Sequence, residues 1–227
     1  MLDRARTVSI TGIDGTGKTT AVGLVGDLLR EVGCVGVLAS VGSPSFVWVG
    51  GRKINLYESE TDRVGRLYRQ GQEADHKLVT LLAMMAHGIL QGRLVVPKMT
   101  SKFKPEHIVS DRHPLVDSVV LTRRYGAPNL PISWVIKLVE SIGGRELFID
   151  DLFLLTARPE TAAKRIAQGP TQDGHESITS LKFMAGIYPK VIADLKSRRK
   201  IRNCAAVDTE TNNAAQVARL IYSHLGY

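Results

Sequence analysis

Cysteine, aromatic side chains and long apolar runs are all scarce in this chain, and each scarcity removes a class of protein. Its 227 residues include two cysteines, Cys34 and Cys204. They stand far apart, lack CxxC spacing and precede apolar runs, so buried free thiols are expected rather than a disulfide framework or a metal pair. Phe, Tyr and Trp make up 6% of the residues, no basic run is interleaved with them, and no repeat has a solenoid period. Nucleic-acid binding is therefore not expected. No stretch is long and apolar enough to span a bilayer, and Met1-Leu2-Asp3-Arg4-Ala5-Arg6 has no apolar core of a signal peptide. A cytoplasmic protein without membrane contact is the expectation. Acids are also outnumbered: 22 Asp+Glu against 30 Lys+Arg give a formal net charge of +8. That balance suits polyphosphate ligands, and equally nucleic acid or an anionic surface, so charge alone does not choose.

What is present in full is Gly12-Ile13-Asp14-Gly15-Thr16-Gly17-Lys18-Thr19, which fits G-x-x-x-x-G-K-[ST] at every fixed position. Its glycines permit backbone angles closed to other residues and clear side chains away, so successive N–H groups can converge on phosphate oxygens. Asp14, Gly15, Thr16, Gly17, Lys18, Thr19 and Thr20 are the candidate nucleotide-binding residues. Lys18 is placed to reach the outer phosphates of ATP, and the Thr19 hydroxyl to reach Mg²⁺. The setting supports the pattern. Val8-Ser9-Ile10-Thr11 reads as a short buried strand, and Val22, Val25, Leu28, Leu29 and Val32 recur at spacings of three and four, predicting a helix from Lys18 to about Val32.

A second strand is predicted over Val35–Ala39, ended on its helix side by Gly33. The segment from Gly42 to Lys53, with Ser43 as a candidate acceptor contact, lies beyond that strand and reads either as a substrate loop or as a plain surface connection. A solvated helix is predicted from Leu56 to about Arg69 and a long buried one from about Glu73 to Val96. Met84, with Met85 and His87, is a candidate for a pocket wall, core filling being the alternative.

His107-Ile108-Val109-Ser110-Asp111-Arg112 reads as an apolar strand ending in a carboxylate and a guanidinium. An acid at such a tip can hold Mg²⁺ or its waters, and the Arg beside it can grip a phosphate bidentately. Val116 to Leu121 is an apolar segment followed by Arg123-Arg124, a solvated basic corner. A helix is predicted from Pro131 to about Ile142, a fourth strand over Leu152–Thr156, a helix opening at Pro159-Glu160 and carrying Lys164 and Arg165 near its end, and an amphipathic helix from Ile178 to Leu195. Residues 168–176 read as a short lid-like loop or a simple connection. Lys196–Arg202 reads as a solvated helix end, Ala205–Asp208 as a fifth strand, and the rest as a final helix. Length and alternation suit a single domain over 1–227.

Together these elements resemble the thymidylate kinases and their relatives, the deoxynucleoside kinases, over nearly the whole chain. The loop at 12–20 is similar to their phosphate loop, Asp111-Arg112-His113 to their D-R-[YH] element, and Val207-Asp208-Thr209 falls near the loop that meets adenine. The resemblance implies an α/β fold, a P-loop NTPase three-layer sandwich with a five-stranded parallel sheet and helices on both faces, and it implies a homodimer. It further implies transfer from ATP and Mg²⁺ to a small nucleotide acceptor, with dTMP leading. Lys18, Asp14, Asp111, Arg112 and Arg165 would be catalytic, Thr19 and Asp111 would hold the metal, and Arg112, Ser43 and Met84 would meet the acceptor. Three features depart from the pattern: 168–176 contains no arginine, leaving Lys164, Arg165 and Lys182 as the nearest cations, the R-E-P-G turn is replaced by Ser43-Pro44, and the segment that would offer an arginine to the nucleotide reads Leu82-Ala83-Met84-Met85-Ala86-His87. A deoxynucleoside kinase would need a carboxylate base near the end of strand two, and no acid lies from Ser40 to Tyr57. A regulatory nucleotide-dependent ATPase is the reading from another class.

Overall fold

The structure, a computed structural model, describes residues 5–33, 35–38, 45–49, 52–56, 95–125, 131–143, 149–168 and 177–227, with a few isolated positions between 66 and 86. Seven strands form one sheet: β1 (Arg6–Thr11), β2 (Val35–Leu38), β3 (Ser45–Val49), β4 (Arg52–Leu56), β5 (His107–Asp111), β6 (Ile149–Thr156) and β7 (Ile201–Asp208). Helices α1 (Lys18–Leu29), α2 (Val96–Phe103), α3 (Pro114–Tyr125), α4 (Ile132–Gly143), α5 (Pro159–Ala167), α6 (Ile178–Ser197) and α7 (Ala214–His224) pack around it.

The sheet order is β4-β3-β2-β5-β1-β6-β7. Strands β2, β5, β1, β6 and β7 run parallel to one another, which is the expected five-stranded parallel core. Two antiparallel strands were not expected. β3 pairs with β2 and β4 with β3, so much of the segment read as a loop from Gly42 to Lys53 is a hairpin that widens the sheet. The reason is the pattern Phe46-Val47-Trp48, whose β-branched and aromatic side chains fit a pleated surface, with Val47 buried beneath Val95 and Met99.

Alternation along the central strands builds the layers. Val8, Ile10, Phe153 and Leu155 pack under α1 and α7 through Val22, Val25, Leu29, Val217 and Ile221. Leu152 and Leu154 turn the other way and meet Leu115, Val119, Leu181 and Leu195 of α3 and α6. Because both faces are covered, truncating a side chain such as Leu152 to Ala should cost about 2–5 kcal/mol through lost burial and a residual cavity.

Two boundaries differ from expectation. The basic run is not wholly a helix end: α6 stops at Ser197 and β7 already begins at Ile201, which is buried. β7 is thus longer than the apolar stretch Ala205–Asp208 implied, because parallel pairing with β6 runs from Ile149↔Ile201 to Thr156↔Asp208. Cys204 is a half-buried free thiol on β7, while Cys34 lies outside the described residues. The helices expected between 56 and 94 lie almost wholly outside them, and so do Ser43, Met84, Met85, His87 and the loop 169–176. Among the described residues no helix is long and apolar enough to cross a membrane.

Candidate nucleotide site at the phosphate loop

β1 and β5 are adjacent and parallel, with Ile10 opposite Asp111, so both strands end at the same height. The chain leaves β1 toward β2 on one side while β6 lies on the other. This is the switch point at which open parallel sheets bind ligands.

The loop that follows β1 keeps its shape through its glycines. Gly15 and Gly17 both have φ of 80°, and a Cβ on Gly15 would stand 2.4 Å from the Ala162 carbonyl oxygen of α5. The loop therefore rests directly on α5, an approach that only a residue without a side chain permits. Thr16 is buried and its Oγ1 donates to the Ile13 carbonyl at 2.8 Å. Gly17 caps α1 without a side-chain hydrogen bond, which leaves the first-turn N–H groups facing the loop.

Lys18 is buried, and its Nζ donates to the Ile13 carbonyl at 2.7 Å and to Asp14 Oδ1 at 3.0 Å. Asp14 Oδ1 also accepts from Arg112 Nη2. The carboxylate at the loop thus lies between the two cations singled out in the sequence. Thr20 is exposed on the first turn of α1.

Thr19 Oγ1 donates to Asp111 Oδ2 at 2.8 Å. Asp111 is buried, and its other oxygen, Oδ1, has no hydrogen-bond partner among the described residues. A buried carboxylate oxygen without a donor is costly unless a cation or water completes it. With a hydroxyl beside it, this all-oxygen pair fits Mg²⁺, which takes one or two protein oxygens alongside phosphate and water.

Arg112 has φ of 71°, in the left-handed region, and its N–H donates to the Ile10 carbonyl at 3.0 Å. Its Nη1 lies 3.5 Å from Asp117 Oδ1. Asp117 is buried in α3 and also accepts from Thr11 Oγ1 at 3.0 Å, from the His113 N–H at 2.7 Å and from the Tyr188 hydroxyl at 2.6 Å. Burial pushes its carboxyl up, opposed by the Arg112 guanidinium and by the Tyr188 and His113 donors. Burial pushes the Tyr188 hydroxyl up as well, reinforced by Asp117, and pushes the His113 imidazole down to about 3. This buried network was not anticipated. Its signal was a lone acid inside the otherwise apolar run from Val116 to Leu121.

On the opposite flank of the loop a cleft of about 340 Å³ opens, lined by Gly15, Thr16, Gly17, Arg165, Thr209 and Asn212 among others. Arg165 donates to Gly15 O at 3.4 Å, to Thr209 Oγ1 at 3.0 Å and to Thr209 O at 2.7 Å. It ties α5 to the loop and to the turn after β7, away from the Asp14–Arg112–Asp111 side. Lys182 pairs with Glu160 at 3.0 Å, and Lys164 is exposed.

No family model matches this chain, and no curated protein matches it either. Solved structures do. The chain is similar to deoxyadenosine kinase from M. mycoides with bound dCTP, at a TM-score of 0.60 and 15% identity, over 96% of this chain and 98% of that one. The same enzyme with dCMP and a flexible dCDP gives 0.61 and 16% over 96% and 97%, and with dATP 0.59 and 16% over 97% and 100%. At that identity the likeness is one of fold: an α/β architecture shared over 96% of this chain, with the glycine-rich loop 12–19 after the first strand.

Proposed function

We propose that the chain is a kinase that transfers the terminal phosphoryl group of ATP to a deoxynucleoside. The observation that carries this is the Thr19–Asp111 contact beside the unpartnered Asp111 oxygen, next to a phosphate loop at the switch point of the sheet. The fold shared with deoxyadenosine kinase favours a deoxynucleoside over the dTMP first expected as acceptor.

In this reading the loop amides and Lys18 bind the β- and γ-phosphates, with the Lys18 ammonium leaving Asp14 for the incoming anion. Thr19 and Asp111 would hold Mg²⁺, which would supply positive charge to the triphosphate oxygens. The acceptor hydroxyl oxygen forms a bond to the γ-phosphorus, the bond from that phosphorus to the bridging oxygen breaks, ADP leaves with its electron pair, and the hydroxyl proton is released to water. Arg112 stands beside the loop to stabilise charge on the transferred group. Arg165, in the cleft between loop and turn, would border the donor nucleotide in this reading, which is a proposal beside the catalytic part expected of it.

One observation favours a second acceptor class. A hydroxyl acceptor must lose a proton, and the sequence from Ser40 to Tyr57 offers no carboxylate to take it. A nucleoside monophosphate such as dTMP needs no such base, and Arg112 would then also face the acceptor phosphate. A coupled assay of ADP release with ATP, Mg²⁺ and panels of deoxynucleosides and monophosphates tests both. ADP formed with deoxynucleosides supports the main reading, ADP formed only with monophosphates supports the second, and acceptor-independent hydrolysis would favour a regulatory ATPase. No ADP under any condition overturns the kinase.

A further inference from the structure

The buried network behind Arg112 joins elements that are far apart in sequence. Thr11 ends β1 just before the phosphate loop, His113 follows the tip of β5, and Tyr188 lies in the middle of α6. All three donate to one carboxylate, that of Asp117, in the first turn of α3. A fourth group, the cationic Arg112 guanidinium, lies 3.5 Å from the same carboxylate and reaches Asp14 with its other terminal nitrogen. A charge withdrawn from water this completely stays only where donors surround it, and here the donors fix its position from three directions.

We infer that Asp117 is a positioning residue for phosphoryl transfer: it holds the Arg112 guanidinium against the phosphate loop while Asp14 yields to phosphate. The role rests on the kinase reading above. Arg112 has two carboxylate neighbours of different standing. Asp14 is part-exposed on the loop, whereas Asp117 is buried and bound on every side. An arriving phosphate can displace the first from the guanidinium. It cannot displace the second, so Arg112 keeps one anchored nitrogen while the other turns to the anion. Tyr188 and Thr11 act one step further back by keeping the Asp117 carboxylate oriented. Because Thr11 directly precedes Gly12, the loop and the guanidinium are referred to one common point.

A double-mutant cycle with Asp117→Asn and Arg112→Ala tests this. Asp117→Asn is expected to lower kcat at least tenfold with the KM for ATP changed less than threefold, and to have no further effect once Arg112 is Ala. Equal fold losses in both backgrounds would reduce Asp117 to a structural residue. If Asp117→Asn does not fold, Tyr188→Phe carries the same cycle, with a smaller loss that again vanishes beside Arg112→Ala. If the wild type releases no ADP with any acceptor, the kinase reading fails and the anchoring is decided by ¹⁵N spectra of the ATP-free protein. Separate, slowly rotating Nη signals for Arg112 that merge in Asp117→Asn or Tyr188→Phe support the anchor. Signals unchanged by both substitutions overturn it.

Discussion

Thr19 Oγ1, in the first turn of α1, lies 2.8 Å from Asp111 Oδ2 at the tip of β5, 92 positions away in sequence, and among the described residues the second oxygen of that carboxylate is buried without a donor. A hydroxyl and an acid brought together in this way make the protein's share of an oxygen shell for a hard divalent cation. Asp111→Asn keeps the shape and the contact with Thr19 but removes the charge. The Mg²⁺ concentration for half-maximal activity at fixed ATP should rise by about 10–100-fold, the range seen when metal-site partners are removed. An unchanged Mg²⁺ titration would take Asp111 out of the metal site.

Lys18→Ala should lower turnover by about 10³-fold, the scale on which the loss of a single transition-state donor is felt. Far-ultraviolet circular dichroism should be unaltered, because the buried Ile13 carbonyl left by Nζ keeps the Thr16 hydroxyl as a donor at 2.8 Å. Turnover within tenfold of the wild type would contradict the assignment.

Gly15→Ala combines two penalties. The φ of 80° costs a residue with a side chain about 1–2 kcal/mol, and its Cβ would meet the backbone of Ala162 at 2.4 Å. Since neither backbone can move aside cheaply, unfolding in denaturant should show a loss of about 2 kcal/mol or more, accompanied by weaker binding of an ATP analogue. Wild-type stability would mean that α5 does not bear on the loop.

Stability should also depend on pH through His113. Its imidazole is held down at about 3 in the folded protein against an ordinary value of 6.5. Below 6.5 the unfolded chain takes up a proton that the folded one refuses, so this contribution is complete above 6.5 and is lost as the pH falls toward 3. Between pH 8 and 5 the loss is about 2 kcal/mol. His107, lowered chiefly by burial, adds with the same sign, whereas Asp117, whose carboxyl is raised, opposes it on the more acid side. Denaturant midpoints over this range should fall less steeply for His113→Gln than for the wild type. Parallel curves would show that His113 is protonated while folded.

The loop, α1 and the parallel strands were legible because each carries a local signature: three glycines and a Lys-Thr pair, one apolar helical face, and runs apolar on both sides. The hairpin of β3 and β4 carried one too, β-rich segments on either side of Gly50-Gly51, but it was hidden by the expectation that a segment beyond a strand tip is a loop. Arg165 was legible as a cation near the site and not as a strut, since Thr209 reaches it from 44 positions away. Asp117 was illegible for a related reason. An acid in an apolar helix face has no meaning until the packing shows that Thr11 and Tyr188 come to meet it.

Arg112 sits in a backbone geometry that glycine adopts freely and arginine adopts at a cost of about 1–2 kcal/mol. Under the proposed function the guanidinium is needed at that spot, so comfort of the main chain and usefulness of the side chain pull in opposite directions. Glycine at 112 would ease the main chain but leave the buried Asp117 carboxylate without its cation and the site without its guanidinium, so the arginine stays and the chain carries the cost in its backbone.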